Sequence, residues 1–147
     1  IGLNVEKGTI EDYKNSQGLK FDLIICCQTI DHFIDINSAL KKIKEFLHPE
    51  GIFFFDIVDF RAFYLQNQSI EESIKIDHPY YLTESTTEAY LTKIGFKILL
   101  KNYAPDHLHV GYVCSHSKPD SKLSFEKSVI AASRSEIRYI QSQYKTK

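Results

Sequence analysis

Asp31 and His32 place a carboxylate next to an imidazole. An imidazole titrates near neutral pH, so His32 is a candidate general base, with Asp31 beside it. Asp56 and Asp59 close a second apolar run, Ile52 to Val58, where they could face substrate hydroxyls or stand solvated in a loop. His78, Tyr80 and Tyr81 share one polar and aromatic segment, and a rigid aromatic there can stack on a sugar or another ring. Alternation places His107 and His109 on one face, but no third ligand stands at a fixed spacing, so no metal site is expected. Cys26 and Cys27 are adjacent in an apolar run and Cys114 is separate. An odd count without CxxC spacing argues against disulfides and zinc and suits small buried hydrophobes in a reducing, cytoplasmic compartment.

The elements that position these groups are legible from periodicity. Leu3 to Val5 is a candidate short strand, followed by a turn from Thr9 to Tyr13. Phe21 to Cys27 is a compact apolar run that predicts a strand buried on both faces, as in a parallel sheet. Asp35 or Asn37 can cap a helix over Ser38 to Leu47, where Ile36, Leu40, Ile43 and Leu47 form one apolar stripe. His48-Pro49-Glu50-Gly51 stops that helix, and Ile52 to Val58 predicts a second buried strand. Strand, helix and strand with short connections imply a right-handed crossover and a parallel pair. The fold class is therefore α/β.

Asp59 to Ser73 predicts an irregular helix or a lid, and Ile74 to Leu82 a loop. Thr83 is a good N-cap for a helix that Gly95 ends. Phe96 to Tyr103 and Leu108 to His116 form an expected antiparallel hairpin around Ala104-Pro105-Asp106-His107. Lys118 to Ser124 is a polar linker, and Phe125 to Tyr144 has helical spacing. The expected organisation is an incomplete α/β domain over 1–117, then linker and terminal helix over 118–147.

Composition bounds the function. A chain of 147 residues and 17.0 kDa suits one domain. A net charge of -1 offers no positive field for a nucleic-acid backbone. No apolar run approaches the roughly 20 residues of a membrane span. The chain begins at Ile1 and contains no Met, so it is expected to be the later part of a longer protein.

Three segments together resemble class I S-adenosylmethionine-dependent methyltransferases. Phe21-Asp22-Leu23-Ile24-Ile25-Cys26-Cys27 through Asp31-His32 resembles the family's fourth strand and its "EH" turn. Ala39 to Phe55, with Leu47-His48-Pro49-Glu50-Gly51, resembles the helix, the "LxPGG" turn and the fifth strand. Tyr81-Leu82-Thr83 through Gly95-Phe96 is similar to the "FT…GF" element before a closing hairpin. The implied fold is a partial Rossmann-like sheet, parallel strands flanked by helices with a C-terminal antiparallel hairpin. The family's Gly-rich cofactor turn has no counterpart here, which implies missing first strands, an open strand edge and half a pocket.

The resemblance implies S-adenosylmethionine as cofactor. Thr9 and Ile10, in a turn similar to "GDAE", would face the adenine, and Cys27 and Gln28 would lie near the methionine moiety. His32 and Asp31 become the implied catalytic pair, and Asp56, His78, Tyr80 and Tyr81 the implied substrate contacts. The expected reaction is methyl transfer to a small polar metabolite, with a sugar suggested by the tyrosine-rich loop. No metal is required in principle. The alternative is an inactive methyltransferase-like binding or scaffold module. A dehydrogenase fits less well, because of the antiparallel hairpin. Expected partners are a small-molecule substrate, with neither nucleic acid nor membrane, and a second copy of the chain could cover the open edge.

Overall fold

The computed structural model describes residues 2, 5–16, 18–119, 134, 135, 138, 139 and 142. Its elements are β1 (Phe21–Cys26), a 3-10 turn (Ile30–His32), α1 (Ile36–Phe46), β2 (Leu47–Val58), α2 (Phe60–Asn67), α3 (Ile70–Ser73), α4 (Glu84–Ile94), β3 (Phe96–Tyr103) and β4 (His109–His116). The sheet order is β1-β2-β4-β3. β1 and β2 run parallel, while β4 is antiparallel to both β2 and β3. This is the expected α/β arrangement, parallel strands closed by an antiparallel hairpin.

Local chemistry explains the element ends. Asp35 caps α1 by accepting from the Asn37 amide at 3.0 Å. Thr83 caps α4, and Thr86 completes a capping box by accepting from the Thr83 amide at 2.9 Å, a role usually taken by Glu or Gln. Gly95 ends α4 at φ 92°, a left-handed conformation that a side chain resists. Gly51 is needed for space, since a Cβ there would lie 2.8 Å from the Phe21 carbonyl oxygen. The register slips here, from Phe21 opposite Leu47 to Leu23 opposite Ile52, so His48 to Glu50 bulge outward from β2 rather than forming a separate turn.

The core lies on one face of the sheet. Phe53, Phe55 and Ile57 of β2 meet Val110, Tyr112 and Cys114 of β4, under Leu40 and Ile43 of α1 and Leu91 of α4. Phe55 stacks between Phe53 and Tyr112, at centroid distances of 4.9 and 5.0 Å. Burial pushes the Cys26 thiol up to about 11 and the Cys114 thiol up to about 12, so both remain neutral thiols, and all three cysteines are free.

Three expectations change. The strands are not buried on both faces: Ile24 and Cys26 turn toward the core, while Leu23 and Ile25 are 54% and 57% exposed. β1 is an edge strand, so a run of apolar residues reports burial only where another layer is present. Val5 is 80% exposed and outside any strand, and positions 3 and 4 of the candidate first strand lie outside the described residues. His107 sits in the hairpin turn at φ 56°, not in the strand with His109, so alternation does not pair them. Of the expected terminal helix, Arg134, Ser135, Arg138, Tyr139 and Ser142 are described and helical; the remainder lies outside the described residues. Among the described residues, no helix is long and apolar enough to cross a membrane.

Candidate active site

The parallel strands β1 and β2 end at the same edge of the sheet, where open α/β sheets bind ligands. β4 starts there too, because His109 pairs with Val58. A cleft of about 150 Å³ opens at this edge, with Gln28, Asp31, His32, Ser73, Lys75, His78 and His109 among its polar lining. Phe60, Phe63 and the rings of Tyr80 and Tyr81 form its apolar side.

Folding brings Asp31, His32 and His78 together from two separate loops. Asp31 Oδ2 lies 3.2 Å from His78 Nδ1, and Asp31 Oδ1 lies 4.0 Å from His32 Nε2. The two imidazoles meet edge to face, with centroids 4.5 Å apart. His32 Nδ1 is 3.0 Å from the Asp77 carbonyl oxygen. A carbonyl only accepts, so Nδ1 donates to it, and the ring is held with Nε2 turned toward Asp31.

Gln28 and Asp56 are committed to each other. The Gln28 backbone amide and its side-chain Nε2 each donate to the Asp56 carboxylate, both at 2.7 Å. Gln28 adopts φ 49°, and this pairing holds that left-handed turn at the end of β1. Asp56 therefore positions the turn that carries Asp31 and His32. Cys27 is exposed, and its carbonyl accepts from the Thr29 hydroxyl at 2.6 Å.

Both tyrosine hydroxyls are spent on backbone. Tyr80 donates to the Ile34 carbonyl at 3.1 Å, and Tyr81 donates to the Lys75 carbonyl at 2.7 Å. Their rings wall the cleft, and Tyr81 packs on Phe60 at 5.0 Å.

A second, shallower groove of about 380 Å³ runs along β1, lined by Thr9, Ile10, Ile24, Cys26, Thr29 and Phe33. The Thr9 hydroxyl is occupied by Asp12, donating to its carboxylate at 3.1 Å. Glu11 secures this wall by accepting from the amides of Ile34 and Asp35 at 2.9 and 3.2 Å. His32 lines both the groove and the cleft.

A family model described as a methyltransferase domain matches residues 3–101. This chain belongs to that methyltransferase family. A ubiquinone biosynthesis O-methyltransferase of Actinobacillus pleuropneumoniae serotype 5b (strain L20) is 30% identical over 63 residues, 40% of this chain and 27% of that protein. An S-adenosylmethionine-dependent methyltransferase from Clostridium acetobutylicum superposes with a TM-score of 0.60 at 17% identity, covering 77% of this chain and 64% of that one. Another from Thermotoga maritima gives 0.58 at 22% identity, covering 78% and 64%. The chain thus spans about a quarter of the curated relative and just under two thirds of each solved structure. At these identities the solved structures establish the Rossmann-like methyltransferase fold.

The chain shapes its cleft through Asp59, which is 7% exposed. Its carboxylate accepts from Ala62 N and from Glu84 N, both at 2.8 Å, joining the starts of α2 and α4. Its own amide donates to the Leu108 carbonyl at 2.8 Å. Replacing Asp59 by Ala removes both helix-start contacts and is expected to cost about 2 kcal/mol, at about 1 kcal/mol for each cap. Urea unfolding checks this, and a loss below about 0.5 kcal/mol contradicts it.

His109 reaches the cleft through a turn that Asp106 holds. Asp106 Oδ1 accepts from the amides of Leu108 and His109 at 2.9 and 3.1 Å, and Oδ2 lies 2.5 Å from His109 Nδ1. These backbone bonds, then the His109 ring, hold the Asp106 carboxyl down at about 2. A depressed folded-state pKa contributes stability above the unfolded value, about 3.9, and loses it as pH falls through about 2. The Leu108 and His109 amide resonances are therefore expected to shift with a midpoint near 2. A midpoint near 4 refutes the turn's role.

The sequence alone does not show that Asp31 meets His78, that Gln28 closes on Asp56, or that Phe60 and His109 line the cleft. No local pattern carries these contacts.

Proposed function

We propose that this protein performs S-adenosylmethionine-dependent methylation of a ring hydroxyl on a small polar metabolite. The observation that carries the reading is the shared position of His32, where the groove along β1 meets the cleft beyond the sheet edge. Methyl transfer needs two reactants held in line, and two adjoining sites provide that.

The groove suits the cofactor. Ile10, Ile24 and Phe33 offer apolar walls to a flat ring such as adenine, and Cys27 and Gln28 stand at the strand end toward its methionine part. When bound, S-adenosylmethionine supplies an electrophilic methyl group on a sulfonium. The chain's own residues prepare the acceptor. Phe60 and Tyr81 hold a ring, and the Asp31, His32 and His78 cluster makes its hydroxyl nucleophilic. A cavity of about 150 Å³ accepts one benzene-sized ring, which favours a phenol or a single sugar over a polymer. The similarity to an O-methyltransferase of ubiquinone biosynthesis supports an oxygen acceptor.

The test is a methylation assay with S-adenosylmethionine and a panel of catechols, monophenols and monosaccharides, read by the mass of the product. One panel class is expected to gain a methyl group, and S-adenosylhomocysteine is expected to raise the melting temperature by mass action. Stabilisation by S-adenosylhomocysteine without turnover on any class would support the binding-module alternative instead.

A further inference from the structure

We propose that Asp31, His32 and His78 bind one divalent transition-metal ion. The inference rests on the reading of the cleft as an acceptor site, and states how the cluster activates the hydroxyl. It departs from the expectation that no metal takes part.

The three side chains each offer a ligand atom, and these atoms all lie within 4.8 Å of one another. Donors held about 2.0–2.2 Å from a common ion stand about 3.0–3.5 Å apart. The His78 to Asp31 separation is already 3.2 Å, and the His32 to Asp31 separation of 4.0 Å needs only a small side-chain rotation. The Asp31 and His78 side chains are only 13% and 16% exposed, so these two ligand atoms are held largely away from solvent.

The far side of the His32 ring is the second observation. Its Nδ1 is fixed by the Asp77 carbonyl, which turns Nε2 toward the Asp31 carboxylate at 4.0 Å, beyond direct hydrogen-bond reach. Anchoring one imidazole nitrogen to a backbone carbonyl is how proteins orient a ligating histidine. The same ring lines both the groove and the cleft, so an ion here can reach an acceptor oxygen.

Two imidazoles and one carboxylate favour Zn²⁺, Co²⁺ or Mn²⁺ over Mg²⁺ and Ca²⁺. Three protein ligands leave coordination positions open for the acceptor. A hydroxyl bound there loses its proton to solvent more readily, because the ion stabilises the oxyanion. The sequence hides this site because its ligands lie on two loops with no fixed spacing between them.

The 147-residue chain, treated with chelator, is titrated with Co²⁺ while its visible absorption is recorded. Ligand-field bands saturating at about one equivalent are expected, displaced by Zn²⁺ but not by equal Ca²⁺. His78→Ala and Asp31→Ala are each expected to abolish the bands, and His32→Gln to weaken binding at least about tenfold. His48→Gln, at an exposed position on the β2 bulge, is expected to retain them. Circular dichroism verifies that the variants fold. Undiminished bands in folded His78→Ala, or no saturable Co²⁺ binding to the parent chain, would overturn the proposal. Co²⁺ binding without any methylation counts against the acceptor-site reading alone. Methylation that persists after chelation, with no Co²⁺ bands, counts against the metal site alone.

Discussion

Exchange of Asp31 for Asn is expected to lower the rate of methyl transfer by about 10²–10³-fold, the scale of losing a positioned proton-handling or ion-holding group. Asp31 is the hinge of the cluster: one carboxylate oxygen faces His78 and the other faces His32. Asn keeps the shape and the backbone carbonyl that accepts from Tyr80 N at 3.4 Å, but loses the charge. The fold should therefore survive, with an unchanged circular dichroism spectrum. Tyr80→Phe is the useful comparison. Its hydroxyl bonds Ile34 and Ile36 backbone rather than the cleft, so turnover should change little while stability falls by about 1 kcal/mol. A rate for Asp31→Asn within threefold of the parent chain would remove this residue from the proposed reaction.

Phe55→Ala is expected to destabilise the fold by about 3–5 kcal/mol, the usual range for emptying a large aromatic site in a core. Phe55 is fully buried at the middle of β2. It pairs with Cys26 on one side and Tyr112 on the other, and its ring is nearly parallel to that of Tyr112, at 9°. The side chain thus joins the sheet's parallel part to its antiparallel part. The loss is large against a typical domain stability of 5–15 kcal/mol. Phe55→Leu retains most of the volume and should cost less than half as much. Urea unfolding of both variants provides the comparison, and equal losses would show that the ring stack, rather than the filled volume, carries the stabilisation.

Much of the scaffold is visible before any folding is considered. Asp35, Thr83 and Gly95 mark helix ends because capping depends only on residues within a turn of each other. The hairpin strands emerge within one residue of their expected limits, because alternation is a property of neighbours. The candidate site is only half visible. Asp31 and His32 stand out as an adjacent carboxylate and imidazole, and both do line the cleft. Alternation places His109 on one face with His107, yet His109 belongs to Asp106 and the cleft wall. Tyr80 and Tyr81 read as substrate contacts, yet their hydroxyls hold backbone and only their rings face the cleft.

By itself, then, the amino-acid order determines the succession of strands and helices, the parallel pair, the closing hairpin and the family likeness. The elements follow from periods of two and 3.6 residues and from capping chemistry, all of them short-range, while the likeness is carried by the order of three motif-like segments. Only the tertiary structure decides that His78 reaches Asp31, that Asp56 holds Gln28, that Asp59 is an internal brace, and that Leu23 and Ile25 of β1 face outward. Such contacts join residues far apart along the chain. They are set by how the layers pack and by which layers are present, and no local period records either.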